Sequence, residues 1–188
     1  MKNKKINKKI TYKYIQSAAY RYLERYATTE ANLKYILQRK VDRILKANLQ
    51  LATRSHEIDE WIEDVVKKSV ELGLVDDLLY ASAKLSTYGA SGNSIAIIKN
   101  KLRVKGVPEN LISEIIENER EENPEFNFIS AIKYAKRRRF GPFRIRDAEL
   151  KTSDKERAAM ARAGYSYNEV EKVLKGNREE LEEILYGN

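Results

Sequence analysis

The chain has no cysteine, which removes disulfides and thiolate-held metal sites and is compatible with a reducing interior. It has a single histidine, His56, in a polar break between helical patterns, so no Cys/His cluster can hold zinc and no paired base is available. Its eight glycines fall at the ends of helical patterns and never form a G-x-x-x-x-G-K-[ST] phosphate loop. No stretch approaches the roughly 20 apolar residues of a membrane helix. The Lys/Asn run from Met1 to Lys9 leads into no apolar segment, so it does not read as a secretory signal. Alternating strand patterns are scarce, and apolar residues recur instead at three- and four-residue spacing.

What is present is charge and helical periodicity. Charged residues make up 34% of the chain and hydrophobic residues 42%, the balance of a folded, highly soluble helical protein. Lys and Arg exceed Asp and Glu by 36 to 28, a net +8, which favours a polyanionic partner, either nucleic acid or an acidic protein surface. The expectation is a cytoplasmic, all-α protein, monomeric and without cofactor or metal.

Turn and cap residues divide the pattern into units. Residues 1–11 read as a basic tail. Helical stripes follow through Ile15, Ala18, Ala19, Tyr22, Leu23 and Tyr26, then Leu33, Ile36, Leu37, Val41, Ile44, Leu45 and Leu49, then Ile58, Trp61, Ile62, Val65, Val66 and Val70, ending at Gly73. Thr29 is placed as an N-cap for the second of these. A second unit opens with Asp76 or Asp77 as cap and buries Leu79, Tyr80, Ala83 and Leu85, stopping before Gly89. Ser91 is placed to cap the next helix (Ile95, Ile98, Leu102), which stops at Gly106. Leu111, Ile112, Ile115 and Ile116 form the last helix of the unit, and the acidic stretch from Glu114 to Glu125 reads as a linker or solvated face. The third unit carries Phe128, Ile129, Ile132 and Ala135, then a helix capped by Asp154 and ending at Gly164. A last helix, capped by Ser166, carries Val170, Val173 and Leu174 and extends towards Leu185.

These units superpose. Leu102 to Val107 falls on Met160 to Tyr165 at an offset of 58, and Trp61 to Val66 falls on Leu111 to Ile116 at an offset of 50. Leu37 to Lys40 falls on Leu102 to Lys105 at 65, so the first unit holds about 15 extra residues, near 42–56. Where the other units have Gly106 and Gly164, the first has Val41, and with no left-handed stop its helix runs on. The architecture expected is three tandem three-helix repeats (12–73, 74–122 and 126–188) stacked as an elongated array.

One constellation points to binding chemistry. Lys133, Lys136, Arg137, Arg138, Arg139, Arg144 and Arg146 lie within fourteen residues that contain no acid, interleaved with Tyr134, Phe140 and Phe143. Cations set against phosphates release counterions, and exposed aromatics can stack on unpaired bases. The bland alternative is that the aromatics are core and the cations merely complement the negative end of a helix. A second basic set, Lys34, Arg39, Lys40, Arg43 and Lys46, spans several faces of the overlong helix.

The chain resembles the RecX family of recombinase regulators from about Ala18 to Leu174. The resemblance rests on Tyr22-Leu23-x-Arg25-Tyr26-Ala27-Thr28-Thr29 with Leu33, on Leu72 to Asp77 followed by Tyr80-Ala81, and on Ile98-x-x-x-Leu102-x-x-Lys105-Gly106-Val107. Arg137 to Pro142 and Ala163-Gly164-Tyr165-Ser166 complete it. It implies that the three repeats form a curved array, in a non-enzymatic regulatory protein with no catalytic residue. It further implies binding to the RecA–DNA filament and to single- or double-stranded DNA. The expected consequence is restraint of RecA's ATPase, strand-exchange and co-protease activities in DNA repair, recombination and the SOS response. The extra residues of the first repeat depart from the shortest family members.

Overall fold

Helices account for all the regular structure among the described residues, which in this computed structural model are 10–47, 54–145 and 152–187. In chain order they are α1 (Tyr12–Leu23), α2 (Glu30–Ala47), α3 (Ser55–Glu71), α4 (Asp77–Ala90), α5 (Ile95–Val104), α6 (Glu109–Glu122), α7 (Phe126–Arg138), α8 (Thr152–Arg162), α9 (Tyr167–Lys175) and α10 (Arg178–Tyr186). A 3-10 turn, Gly141–Phe143, follows α7. Packing divides the chain into two compact units, Met1–Tyr80 with Lys105–Val107 and Ala81–Val104 with Pro108–Asn188.

In the first unit, Thr11 caps α1 by accepting from the Tyr14 amide at 3.2 Å. The helix buries Ile15, Ala18 and Ala19, α2 buries Leu33, Leu37 and Val41 four residues apart, and α3 adds Ile58, Ile62, Val65 and Val66. Each fully buried Leu or Ile contributes about 2 kcal/mol relative to exposure. Ile10 belongs to the same core, so the expected tail cannot include residues 10 and 11; residues 1–9 lie outside the described part. Val41 is buried, and α2 continues past it to Ala47 as expected, with 48–53 not described.

The second unit corrects several expectations. Gly89 does not stop α4, which continues to Ala90; the position is tight instead, since a Cβ there would strike the Phe126 ring. The turn comes instead at Gly92, in the left-handed region at φ 65°. Ser91 returns its hydroxyl to the Thr87 carbonyl at 2.9 Å, and Ser94 caps α5. Along α4 the buried positions are Tyr80, Ala81, Leu85 and Gly89, while Leu79 is 69% exposed and Ala83 is also on the solvent side. The acidic stretch up to Glu122 is helical, the outward face of α6. Asp154 sits inside the first turn of α8 rather than at its cap and pairs with Arg157 at 2.8 Å. Ser166 does cap α9, in a full capping box with Glu169. That helix ends at Lys175, and Leu181 is buried from a separate helix, α10, whose Asn177 cap accepts from the Glu179 amide at 2.7 Å.

The same joint is built once in each unit. In the first, the Thr29 hydroxyl accepts from the Asn32 amide at 3.1 Å and donates to the Lys105 carbonyl at 2.5 Å. In the second, 65 residues on, the Ser94 hydroxyl accepts from the Ile97 amide at 3.3 Å and donates to the Ala163 carbonyl at 2.5 Å. The next backbone amide of each capped helix has a side-chain partner as well. Glu30 donates to Asp77 Oδ1 at 2.8 Å and Ile95 to Asn127 Oδ1 at 2.9 Å. After each clasped carbonyl comes a left-handed glycine, Gly106 (φ 78°) or Gly164 (φ 84°), pressed against Ala31 or Ala96. These glycines therefore do more than end a helix: they admit the neighbouring helix N-terminus.

Gly164→Ala would set a Cβ 2.6 Å from Ser94 Oγ and 2.8 Å from Ala96 Cβ at a positive φ, so we expect a loss of about 3 kcal/mol. Gly73→Ala has the same sign of φ but open space and should lose only about 1 kcal/mol. Urea unfolding of both variants measures the difference; equal losses would contradict the close-packed joint.

Candidate polyanion-binding surface

The basic cluster is positioned by the end of α7 and the turn that follows. The helix closes with the Phe140 amide on the Ala135 carbonyl (2.9 Å) and the Arg139 amide on the Lys136 carbonyl (3.2 Å), Arg139 itself being left-handed at φ 59°, ψ 47°. Pro142 sits in the 3-10 turn, and Phe143 is buried beneath it. Tyr134 packs edge-on to Phe140, with centroids 6.1 Å apart, and against Tyr165 at 5.6 Å. The aromatics interleaved with the cations are thus walls of the second unit's core, which corrects the expectation that they form an exposed stacking platform.

The cations divide by what they touch. Arg144 forms a fork on Glu156, with Nε donating at 2.7 Å and a second bond from its terminal nitrogen. Glu156 is almost fully buried and also accepts from the Gly141 amide at 3.0 Å. Lys136 donates to Glu182 at 2.7 Å and lies 4.7 Å from the Tyr186 ring centre. The Glu182 bond raises the lysine's pKa, and the same bond holds Glu182 below the usual carboxylate range. Arg137 donates to the Ser91 carbonyl and lies over Tyr134, and Arg138 lies 5.7 Å from the Phe140 ring centre. Lys133 and Arg139 have no ion pair or side-chain hydrogen bond with other described residues. Arg137, Arg138 and Arg139 are all exposed. Arg146 lies outside the described residues.

The second basic set is on α2. Lys34 pairs with Glu63, and Lys40 lies over the Tyr14 ring at 5.9 Å. Arg39, Arg43 and Lys46 are exposed. At 100° per residue they fall with Tyr35 on one stripe, and Arg39 lies 5.5 Å from the exposed Tyr35 ring. Sequence reading spread this set over several faces; the three outer cations share one.

Among the described residues nothing comparable is arranged for bond-making chemistry. His56 lies on α3, its side chain 90% exposed. The buried Tyr165 hydroxyl sits 3.1 Å from the carbonyls of Gly92 and Ser130, and burial pushes its pKa up. An open cleft of about 800 Å³ in the second unit is lined by Lys99, Arg120, Asn127 and Glu169 among others. Its Glu169 is occupied by Asn127 and by the Ser166 cap. Among the described residues no acidic or histidine cluster could hold a metal, and no helix is long and apolar enough to cross a membrane.

Arg144→Ala strands the Glu156 carboxylate, and we expect a loss of about 3 kcal/mol in chemical denaturation, against almost none for Arg138→Ala. Similar small losses for both would contradict the structural role of Arg144. Glu182 has a folded pKa below its unfolded one, so its contribution is complete above the ordinary carboxylate range and disappears as pH falls through the folded value. The difference in Tm between the unaltered chain and Glu182→Gln should therefore close on acidification. A gap that stays constant into acid would be inconsistent with the pair.

No family model matches the chain. The regulatory protein RecX of Myxococcus xanthus is 36% identical over 171 residues, covering 90% of this chain and 89% of that protein. The regulatory protein RecX of Agrobacterium fabrum is 31% identical over 111 residues, 59% of this chain and 57% of that one. Among solved structures, RecX from Lactobacillus salivarius matches with a TM-score of 0.63 at 18% identity, covering 91% of this chain and 96% of that chain. A second crystal structure, of regulatory protein RecX, gives 0.62 at 24% identity, covering 87% and 71%. The two structures support the helical fold, and the identity to the Myxococcus protein runs through both chains nearly end to end. On that identity, the chain belongs to the RecX family of non-enzymatic regulatory proteins.

Proposed function

We propose that this protein binds the RecA–DNA filament in the cytoplasm and restrains it, slowing ATP hydrolysis, strand exchange and co-protease action during DNA repair and the SOS response. The observation that carries this reading is the 36% identity to a regulatory protein RecX over 90% of the chain. The exposed Arg137–Arg139 corner supports it, since the DNA within such a filament carries closely spaced phosphates. Lys133, on the same helix, adds to that charge, whereas Lys136 and Arg144 brace the frame. The expected outcome is that protein well below the RecA concentration slows RecA ATPase on single-stranded DNA. Unchanged ATPase and strand exchange at excess protein would sink the proposal.

A second reading has the exposed corner favouring it directly: a helical module that binds DNA and acts without RecA. Under it, inhibition follows DNA occupancy alone. Converting Arg137, Arg138 and Arg139 together to Ala should then flatten the slope of log K against log salt on single-stranded DNA by about 2, with inhibition lost in proportion. Inhibition at protein levels too low to cover the DNA separates the first reading from this one.

A further inference from the structure

The left-handed backbone of Arg139 sets it apart. Among the described residues six have φ in the left-handed range; five are glycines (Gly73, Gly92, Gly106, Gly141 and Gly164), and the sixth is Arg139 at φ 59°. An L side chain is disfavoured there and glycine is not, because its Cβ crowds the following carbonyl oxygen. Four of those glycines sit in the turns that close α3, α4, α5 and α8. At the end of α7 the same local geometry is filled by an arginine. No local need explains it. The guanidinium makes no ion pair or side-chain hydrogen bond with other described residues. The helix's negative end is already served by Lys136, Arg137 and Arg138 in its last turn. The turn beyond is held without Arg139, by Glu156 on the Gly141 amide and on Arg144.

We propose that Arg139 is a phosphate-contacting residue of the basic corner, its side chain retained at a backbone position that glycine would fill more stably. The inference rests on the reading that this corner meets nucleic acid, and it names the residue and the ligand group. A phosphodiester backbone fits better than an acidic protein face, because Arg137, Arg138 and Arg139 are consecutive with no acid among them. Consecutive cations need a partner whose charges are equally close, and a nucleic-acid strand supplies one phosphate per nucleotide. The guanidinium fork also suits paired phosphate oxygens. Arg138, also exposed and engaged among the described residues with the Phe140 ring alone, is the neighbouring contact.

The test compares Arg139→Gly, Arg139→Ala and Arg139→Lys in the full chain, by thermal unfolding and by titration of a labelled oligothymidylate at several salt concentrations. Arg139→Gly should raise Tm by about 2–4 °C while weakening binding about tenfold and lowering the salt slope by about 0.7. Arg139→Ala, which keeps the disfavoured φ, should lose binding equally without the gain in Tm. Arg139→Lys, which keeps the charge and the disfavoured φ but not the fork, should leave Tm unchanged and lose less binding than Arg139→Ala. Undiminished binding by the Gly and Ala variants overturns the proposal, and so does a Gly variant that is no more stable. If the unaltered chain itself shows no salt-sensitive binding, the nucleic-acid reading of the whole corner falls with it. Undiminished variant binding beside intact wild-type binding removes Arg139 alone.

Discussion

At each of the two recurring joints one hydroxyl oxygen serves two helices. Thr29 and Ser94 each accept a backbone amide of the helix they begin and donate to a carbonyl 76 or 69 residues further on. That geometry is demanding. The donated bond forms only if the next residue turns left-handed and has no Cβ, hence Gly106 and Gly164, and only if the second residue of the capped helix is small, hence Ala31 and Ala96. Asp77 and Asn127 then take the amide between them. Each bond is worth only about 1 kcal/mol net. Leaving a carbonyl or amide unmet in such a closed joint costs more, so the hydroxyl, alanine and glycine are constrained together although they lie far apart in the chain.

This coupling explains what could be read from the sequence and what could not. The helices and most of their buried faces were legible because spacing of three and four is a local signal. Glycine was read as a stop everywhere, yet it answers two requirements, a left-handed turn and a close approach. Gly89 meets the second without the first, being mid-helix against Phe126. Sequence reading gives the cap of α5 to Ser91, and the left-handed turn at Gly92 passes it to Ser94. The break between α9 and α10 was masked because Val173, Leu174, Leu181, Ile184 and Leu185 keep nearly helical spacing across it. Only the Asn177 cap betrays it.

Charge was the least legible property, because what a cation does depends on a partner elsewhere. The run from Lys133 to Arg144 looked uniform, but Glu156 is 12 residues beyond Arg144 and Glu182 is 46 beyond Lys136. Those partners turn part of the cluster into scaffold. Arg144, Glu156 and the Gly141 amide fix the turn directly after Arg139, and Lys136 ties α7 to α10. The held cations thereby determine where the free ones stand. The unpaired charge at this corner is smaller than composition implies.

Val41 stands where the later repeats carry the glycine that receives a preceding helix. It is buried, and α2 passes through it without interruption. At Gly106 and Gly164 the missing side chain leaves the space that Ala31 and Ala96 enter. Val41 carries a branched side chain at the corresponding position, inside a helix that does not turn there. One residue type thus decides whether a helix ends in a socket for a neighbour or runs on as a rod.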